Sequence, residues 1–355
     1  MSVDPASVRE PALRSATGVA RAERRSSISV HPDVVTISPK CYQIFGGSLR
    51  SDLDFPILPP APAGAATTWT LHTTPAPAPE CAAVPSIIEQ LGESLSVSVA
   101  RTSDGLRVVY TDTGAFDVTR DGRTITWYRP SDADEGNARL DIVGTLLPFA
   151  LHLTDRLVLH GSSVAFEGGA VAFLAPSGTG KSTLAMGLTM AGARFLSDDA
   201  VPVRIAGDGA IAAPGVPSPR FREDSFARFS EMLPADAIPS SGKLSLSERL
   251  GDDLVETRET PLSAVYVLCP VPAGDGAGAA RTAMPPIAAT MALVQNAKLA
   301  KLLWGEEAER LLHLVAEVSR RVPVWTLDVP RDLDLLPGVV ERLLEWHAVP
   351  EPQSA

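Results

Sequence analysis

From residue 35 to residue 129 the apolar positions fall in short runs of strand length: Cys41 to Phe45, Leu106 to Tyr110, and Thr124 to Tyr128 after the turn dipeptide Asp121-Gly122. Pro/Ala-rich stretches, Pro59 to Ala65 and Pro75 to Pro79, interrupt them as loops. Over residues 139–154 the apolar spacing becomes helical and predicts a connector helix. Strand signals resume in a hairpin, Ser162 to Phe166 and Ala170 to Leu174, turning at Gly168-Gly169. A helix-compatible stretch, Thr183 to Leu188, follows, and then strands at Arg194 to Ser197, Val201 to Ile205 and Ala210 to Ala213. Residues 214–262 show no periodicity and carry prolines such as Pro214, Pro217, Pro219, Pro234 and Pro239, so a long irregular segment is predicted. A core strand at Ala264 to Leu268, a Gly/Ala loop at Pro270 to Arg281, helices over 289–303 and 305–320, a strand at Val322 to Val329 and a helix within 332–347 complete the pattern.

This pattern predicts two folding units: a β-rich domain over 34–150 that includes the connector helix, and an α/β domain over 151–347, with the boundary between residues 130 and 155. Residues 1–33, rich in Ser, Ala and Arg, read as a disordered tail, and 348–355 as a second one.

The most informative local signal sits between the hairpin and the following helix. There the chain reads Ala175-Pro176-Ser177-Gly178-Thr179-Gly180-Lys181-Ser182-Thr183. Strand, glycine-rich loop, Lys-Ser and helix, in that order, form a phosphate cradle. Gly178 and Gly180 let the backbone curl so that N–H groups from Ser177 to Thr183 face phosphate oxygens. Lys181 supplies a point charge for the β- and γ-phosphates, and the Ser182 hydroxyl suits Mg²⁺. The chain has only five lysines, which makes one at this position more telling. Ala175 stands where the full pattern has Gly and reads as a strand-terminal residue of ordinary φ.

Asp198-Asp199 ends the strand after the loop's helix, where a carboxylate can complete a metal site and a second one can accept a hydroxyl proton. His160, at the mouth of the hairpin, is placed to hydrogen-bond a carboxylate or a phosphate. Arg220, Arg222 and Lys243 lie in the irregular 214–262 stretch; Arg220 and Lys243 are the candidate cations for a transferring phosphoryl group.

Composition narrows the function. A net charge of −11 argues against a nucleic-acid partner, no apolar run is long enough to span a bilayer, and the N-terminus lacks a secretory h-region. The three cysteines are scattered and match neither a zinc spacing nor a disulfide framework, which points to reduced thiols and a cytoplasmic location.

His160-Gly161, the Ser177 to Ser182 loop, and Leu196-Ser197-Asp198-Asp199-Ala200-Val201 together resemble the core of the HPr kinase/phosphorylase family. The resemblance covers roughly residues 155–345. It implies an α/β P-loop kinase domain, similar to phosphoenolpyruvate carboxykinase rather than to other P-loop kinases, here preceded by a smaller β-rich domain. Tyr42 to Gly46, Gly215 to Arg220 and Ala297-Lys298-Leu299 further resemble the HPr-kinase-related proteins of peptide-maturation clusters, such as lasso-peptide kinases. The resemblance implies Asp198 as base, oriented by His160; Ser182 and Asp199 on Mg²⁺; and Lys181 on the phosphates of ATP. The bifunctional members' Glu-x-Arg-Gly-x-Gly phrase is absent between Val201 and Glu256, so phosphorylase activity, hexameric assembly and HPr as substrate are not carried over.

The expected function is an ATP- and Mg²⁺-dependent kinase acting on a hydroxyl, above all a Ser of a peptide or small protein such as a precursor peptide. A small-molecule kinase on the same scaffold and a non-catalytic nucleotide sensor are the alternatives; a homo-oligomer stays open.

Overall fold

The computed structural model describes residues 38–348 except 82–84, 86, 91–95, 155, 231–236, 241–242, 247–248, 273–278 and 304; both expected tails, apart from Ala348, therefore lie outside the described residues. The short runs of the N-terminal half become β1 (Lys40–Ile44), β2 (Gly47–Ser51), β3 (Trp69–Thr74), β4 (Ile87–Gln90), β5 (Ser96–Thr102), β6 (Gly105–Tyr110), β7 (Gly114–Thr119) and β8 (Thr124–Tyr128). They form one sheet in the order β1-β2-β3-β8-β7-β6-β5-β4. Period-2 patterning makes it one-sided: in β8, Ile125 and Trp127 are buried while Thr124, Thr126 and Tyr128 are half-buried. Trp127 stacks on Phe116 with ring centroids 5.9 Å apart, and its indole N–H donates to the Thr113 carbonyl at 2.8 Å.

The connector is not one helix. α1 (Glu135–Asp141), capped by the Asp134 side chain, runs into a π turn at Ile142–Leu146 and then α2 (Leu147–His152), with Pro148 in its first turn. Pro148 has no N–H to give the preceding turn, and the wider turn accommodates that.

After α2 come β9 (Leu157–Leu159), β10 (Gly161–Phe166), β11 (Gly169–Leu174), α3 (Lys181–Met190), β12 (Arg194–Ser197), β13 (Val201–Ala206) and β14 (Gly209–Ala212). The irregular stretch contains β15 (Arg220–Phe221), α4 (Glu223–Phe229), β16 (Ala237–Ser240) and β17 (Lys243–Leu246), whose strands pair β15-β17-β16. β18 (Thr260–Val271), β19 (Ala280–Ala283), α5 (Pro286–Gln295), α6 (Glu306–Arg321), β20 (Val324–Pro330) and α7 (Leu336–His347) follow. The second large sheet runs β12-β10-β11-β18-β14-β13-β9, with β20 pairing β18 in parallel and β19 on β20's other side. Its central β11 is buried along its length, as a strand covered on both faces must be. α3 and α7 cover one face around Phe173, Phe195, Tyr266 and Leu343.

The other face belongs to a hydrophobic cluster that both halves of the chain share. It joins Phe55, Trp69 and Trp127 of the first half to Leu146, Leu147 and Phe149 of the connector. It continues to Leu157, Val201, Val203 and Val265 of the second sheet and to Leu293, Val315 and Val318 of α5 and α6. The described residues accordingly cluster as one compact unit.

One half-buried acid in this region predicts a pH effect. Asp141 accepts a 2.7 Å hydrogen bond from the Thr113 hydroxyl, but burial pushes its carboxyl up to about 7, with neighbouring Asp112 adding to the rise. A carboxyl raised above its unfolded value near 3.8 gives a contribution that is complete below that value and is lost as pH climbs to about 7. Asp141→Asn should flatten this decline and stabilise the protein at about pH 8 by up to roughly 4 kcal/mol. Urea unfolding at about pH 4.5 and about pH 8 tests it; equal losses in variant and parent would contradict it.

Candidate active site

β11 delivers the chain into the glycine loop. Ala175 keeps an ordinary φ, as expected of a strand-terminal residue, while Gly178 (φ 81°) and Gly180 (φ 99°) take the left-handed conformation that glycine adopts without penalty. α3 then starts at Lys181 with no acidic residue in its first turn, so its N-terminal dipole stays available to an anion. Lys181 is 7% exposed and donates from Nζ to the carbonyls of Ala175 (2.7 Å) and Pro176 (3.1 Å).

Asp198 lies across from this loop. Its Oδ1 accepts from Ser182 Oγ at 2.9 Å and from Ser162 Oγ at 2.5 Å, and its Oδ2 accepts from the Arg220 backbone N–H at 2.9 Å. The Gly215-Val216 segment holds it through a bridge between Val216 and Asp198. Gly215 must be glycine here, because a Cβ would overlap the Ser197 side chain.

Asp199 turns away from that cluster. Its φ of 66° is uncommon for a residue with a side chain, although aspartate tolerates it better than most. Its Oδ1 lies 3.3 Å from His160 Nδ1 and its Oδ2 lies 2.8 Å from Lys298 Nζ. Burial alone would raise its pKa; the Lys298 ammonium, joined by His160, reverses this and holds the carboxyl well below the usual range. His160 Nε2 is 3.4 Å from Lys181 Nζ. Nδ1 is also 3.2 Å from the Asp199 carbonyl. A carbonyl and a carboxylate can only accept and an ammonium can only donate, so these partners assign a proton to Nδ1. A relay of contacts therefore runs Lys181, His160, Asp199, Lys298.

The carboxylate pairing differs from the one the resemblance implied. Ser182 meets Asp198 rather than Asp199, and His160 meets Asp199 rather than Asp198. The left-handed backbone at Asp199 is the cause, since it sends two adjacent side chains into different environments.

Lys298 enters the site because the helical pattern over 289–303 is broken. α5 stops at Gln295, and the Asn296 carbonyl accepts from the His160 backbone N–H at 2.7 Å. The Lys298 N–H donates to Val158 (2.8 Å), and its carbonyl accepts from His152 Nε2 at 2.6 Å. Leu299 then takes φ 60°. Burial lowers His152 to about 4, so it is neutral at physiological pH and serves as a fixed donor. In the sequence Lys298 stood out only as part of the Ala297-Lys298-Leu299 phrase, with no role attached to it.

A cavity of about 440 Å³ opens beside the loop, bounded by Ser177 to Leu184, Arg220, Arg222 and Arg331. Arg222 abuts the loop, since a Cβ built on Gly178 would stand 3.4 Å from its Nη1. Of the two candidate cations, Arg220 lines this cavity. The Lys243 backbone pairs with Ser240 in the small sheet, and its side chain lies outside the described residues. The N-terminal half reaches the site through the π turn: a Cβ on Gly144 would lie 3.8 Å from Asp199 Oδ2.

Among the described residues no group of three or more His, Cys, Asp or Glu side chains is arranged to hold a metal ion. Ser182 Oγ and Asp198 Oδ1, 2.9 Å apart, are a hard-oxygen pair that fits Mg²⁺ when phosphate and water supply the remaining ligands. No described helix is long and apolar enough to cross a membrane.

No protein-family model matches the chain, and no curated protein matches it. Among solved structures it is similar to the Hpr(Ser) kinase/phosphatase from Coxiella burnetii, with 13% identity over 54% of this chain and 95% of that one and a TM-score of 0.30.

Proposed function

We propose that the chain is an ATP-dependent kinase that transfers the γ-phosphoryl group to a hydroxyl, a Ser of a peptide or small protein. The observation that carries this reading is the seating of Ser182 against Asp198 and of Lys181 against His160, with the His160–Asp199 pair beside them. The glycine loop and the α3 N-terminus bind the phosphates through backbone N–H groups, and Lys181 adds a point charge. Ser182 and Asp198 would hold Mg²⁺, which neutralises phosphate charge when bound. Asp199, ionised and held by His160, accepts the proton of the acceptor hydroxyl. Arg220 is proposed to face the transferring group; for Lys243 that role rests on sequence position alone.

Transfer from γ-labelled ATP to seryl peptides, with the mass gain of one phosphate, tests the reading. Labelling of small hydroxyl compounds alone would favour a small-molecule kinase. ATP binding with no transfer to any acceptor would favour a sensor.

The two aspartates should also separate. Asp198→Asn should weaken the dependence on Mg²⁺. Asp199→Asn should still bind Mg-ATP and lose a factor on the order of 10²–10⁴ in transfer. Metal titrations and single-turnover rates measured in parallel check this; identical behaviour of the two variants would defeat the assignment.

A further inference from the structure

Two of the chain's five lysines converge on this one site, and the nucleotide cradle accounts for only Lys181. Lys298 is not a solvated surface lysine. Its side chain is 11% exposed, its ammonium is 2.8 Å from Asp199 Oδ2, and its backbone is bonded on both sides, to Val158 and to His152. The two carboxylates are also treated differently. Asp198 accepts from two hydroxyls and a backbone amide, whereas Asp199 has the Lys298 ammonium at one oxygen and His160 Nδ1 at the other.

We infer that Lys298 occupies the place of a second divalent cation, so that the site is built for one metal ion, on Ser182 and Asp198, with a tethered ammonium on Asp199. This rests on the nucleotide-site reading above and deepens it. Adjacent carboxylates facing a polyphosphate would otherwise recruit two ions, because affinity for hard cations follows the number of anionic ligands. A divalent ion on Asp199 would engage the lone pairs that must receive the acceptor proton. An ammonium neutralises the same charge through a hydrogen bond and leaves other lone pairs open. Lys298 thus acts as a positioning residue for Asp199 and sets the metal stoichiometry.

Mn²⁺ counted by electron paramagnetic resonance, with saturating adenylyl imidodiphosphate, provides the test and needs no turnover. The parent protein should bind about one ion per chain. Lys298→Met should bind a second ion, at least about tenfold tighter than any weak second site in the parent, as expected when one more uncompensated carboxylate is offered. That second ion should disappear in Lys298→Met/Asp199→Asn, and Lys298→Arg should remain at one. Asp199→Asn alone should keep the parent's single ion at unchanged affinity, which tests the inference even if Lys298→Met fails to fold. Two ions in the parent, one ion in a folded Lys298→Met, or a large loss of Mn²⁺ affinity in Asp199→Asn would each overturn it. A parent that binds neither the nucleotide analogue nor Mn²⁺ would instead overturn the nucleotide-site reading itself.

Discussion

Lys181→Ala is expected to abolish nucleotide-dependent transfer and to weaken ATP binding on the order of 10²-fold, since it removes a charge-assisted contact from the cradle. The argument rests on where the side chain sits. Lys181 opens α3, is almost fully buried, and lies between the carbonyls of Ala175 and Pro176 and the His160 ring. Removing it takes the point charge from the phosphates and also leaves those two carbonyls and His160 Nε2 without the ammonium donor. The second effect reaches Asp199, because His160 orients that carboxylate through its other nitrogen. Binding and turnover should therefore fall together, and turnover further. Lys181→Met, which keeps most of the side-chain volume, should behave like the alanine variant if charge is what matters. Calorimetric titration with ATP and the peptide-labelling assay measure the two losses. A variant that transfers phosphate at the parent's rate would refute the phosphate-cradle assignment.

The loop itself was legible because its requirements are local. Gly178, Gly180, Lys181 and Ser182 follow an apolar strand and open a helix, and the structure gives both glycines the left-handed φ that this order demands. The strands of the hairpin and of β12 to β14 were legible for the same reason, as continuous or alternating apolar runs. Contacts between distant segments were not. The helical pattern over 289–303 says nothing of the Val158 and His152 groups that capture Lys298 and end α5. Two adjacent aspartates announce a polar strand end, but their division of partners depends on one backbone torsion, the φ of 66° at Asp199. The 214–262 stretch looked irregular because β15, β16 and β17 are two to four residues long and rich in Pro and Ser, too short for any period to register. The single helix expected over 139–154 failed where Pro148 forces a wider turn.

A fragment beginning at residue 153, which keeps the whole glycine loop and both aspartates, is expected to be insoluble or to bind ATP poorly. The loss follows from the shared cluster rather than from the site. Leu146, Leu147, Phe149 and Leu151 of the connector are all fully buried, and at roughly 1.5–3 kcal/mol each they contribute about as much as the whole net stability of a typical domain. Without them Leu157, Val201, Val203 and Val265 would face water as a contiguous apolar surface, which invites aggregation. Polar ties would go as well: the paired Arg101–Glu307 contacts at 3.0 Å, the Gln43 amide on the Thr257 carbonyl at 2.7 Å, and the Arg156 bond to the Phe45 carbonyl at 3.2 Å. The site would lose a wall too, because Gly144 of the π turn stands beside Asp199. Co-expressing residues 38–152 as a separate chain should restore solubility if the cluster is the reason, and sedimentation of the two fragments together would show it. A fragment from residue 153 that is monomeric, cooperative in thermal unfolding and as active as the full chain would mean that the catalytic half folds independently and that the shared cluster adds little to its stability.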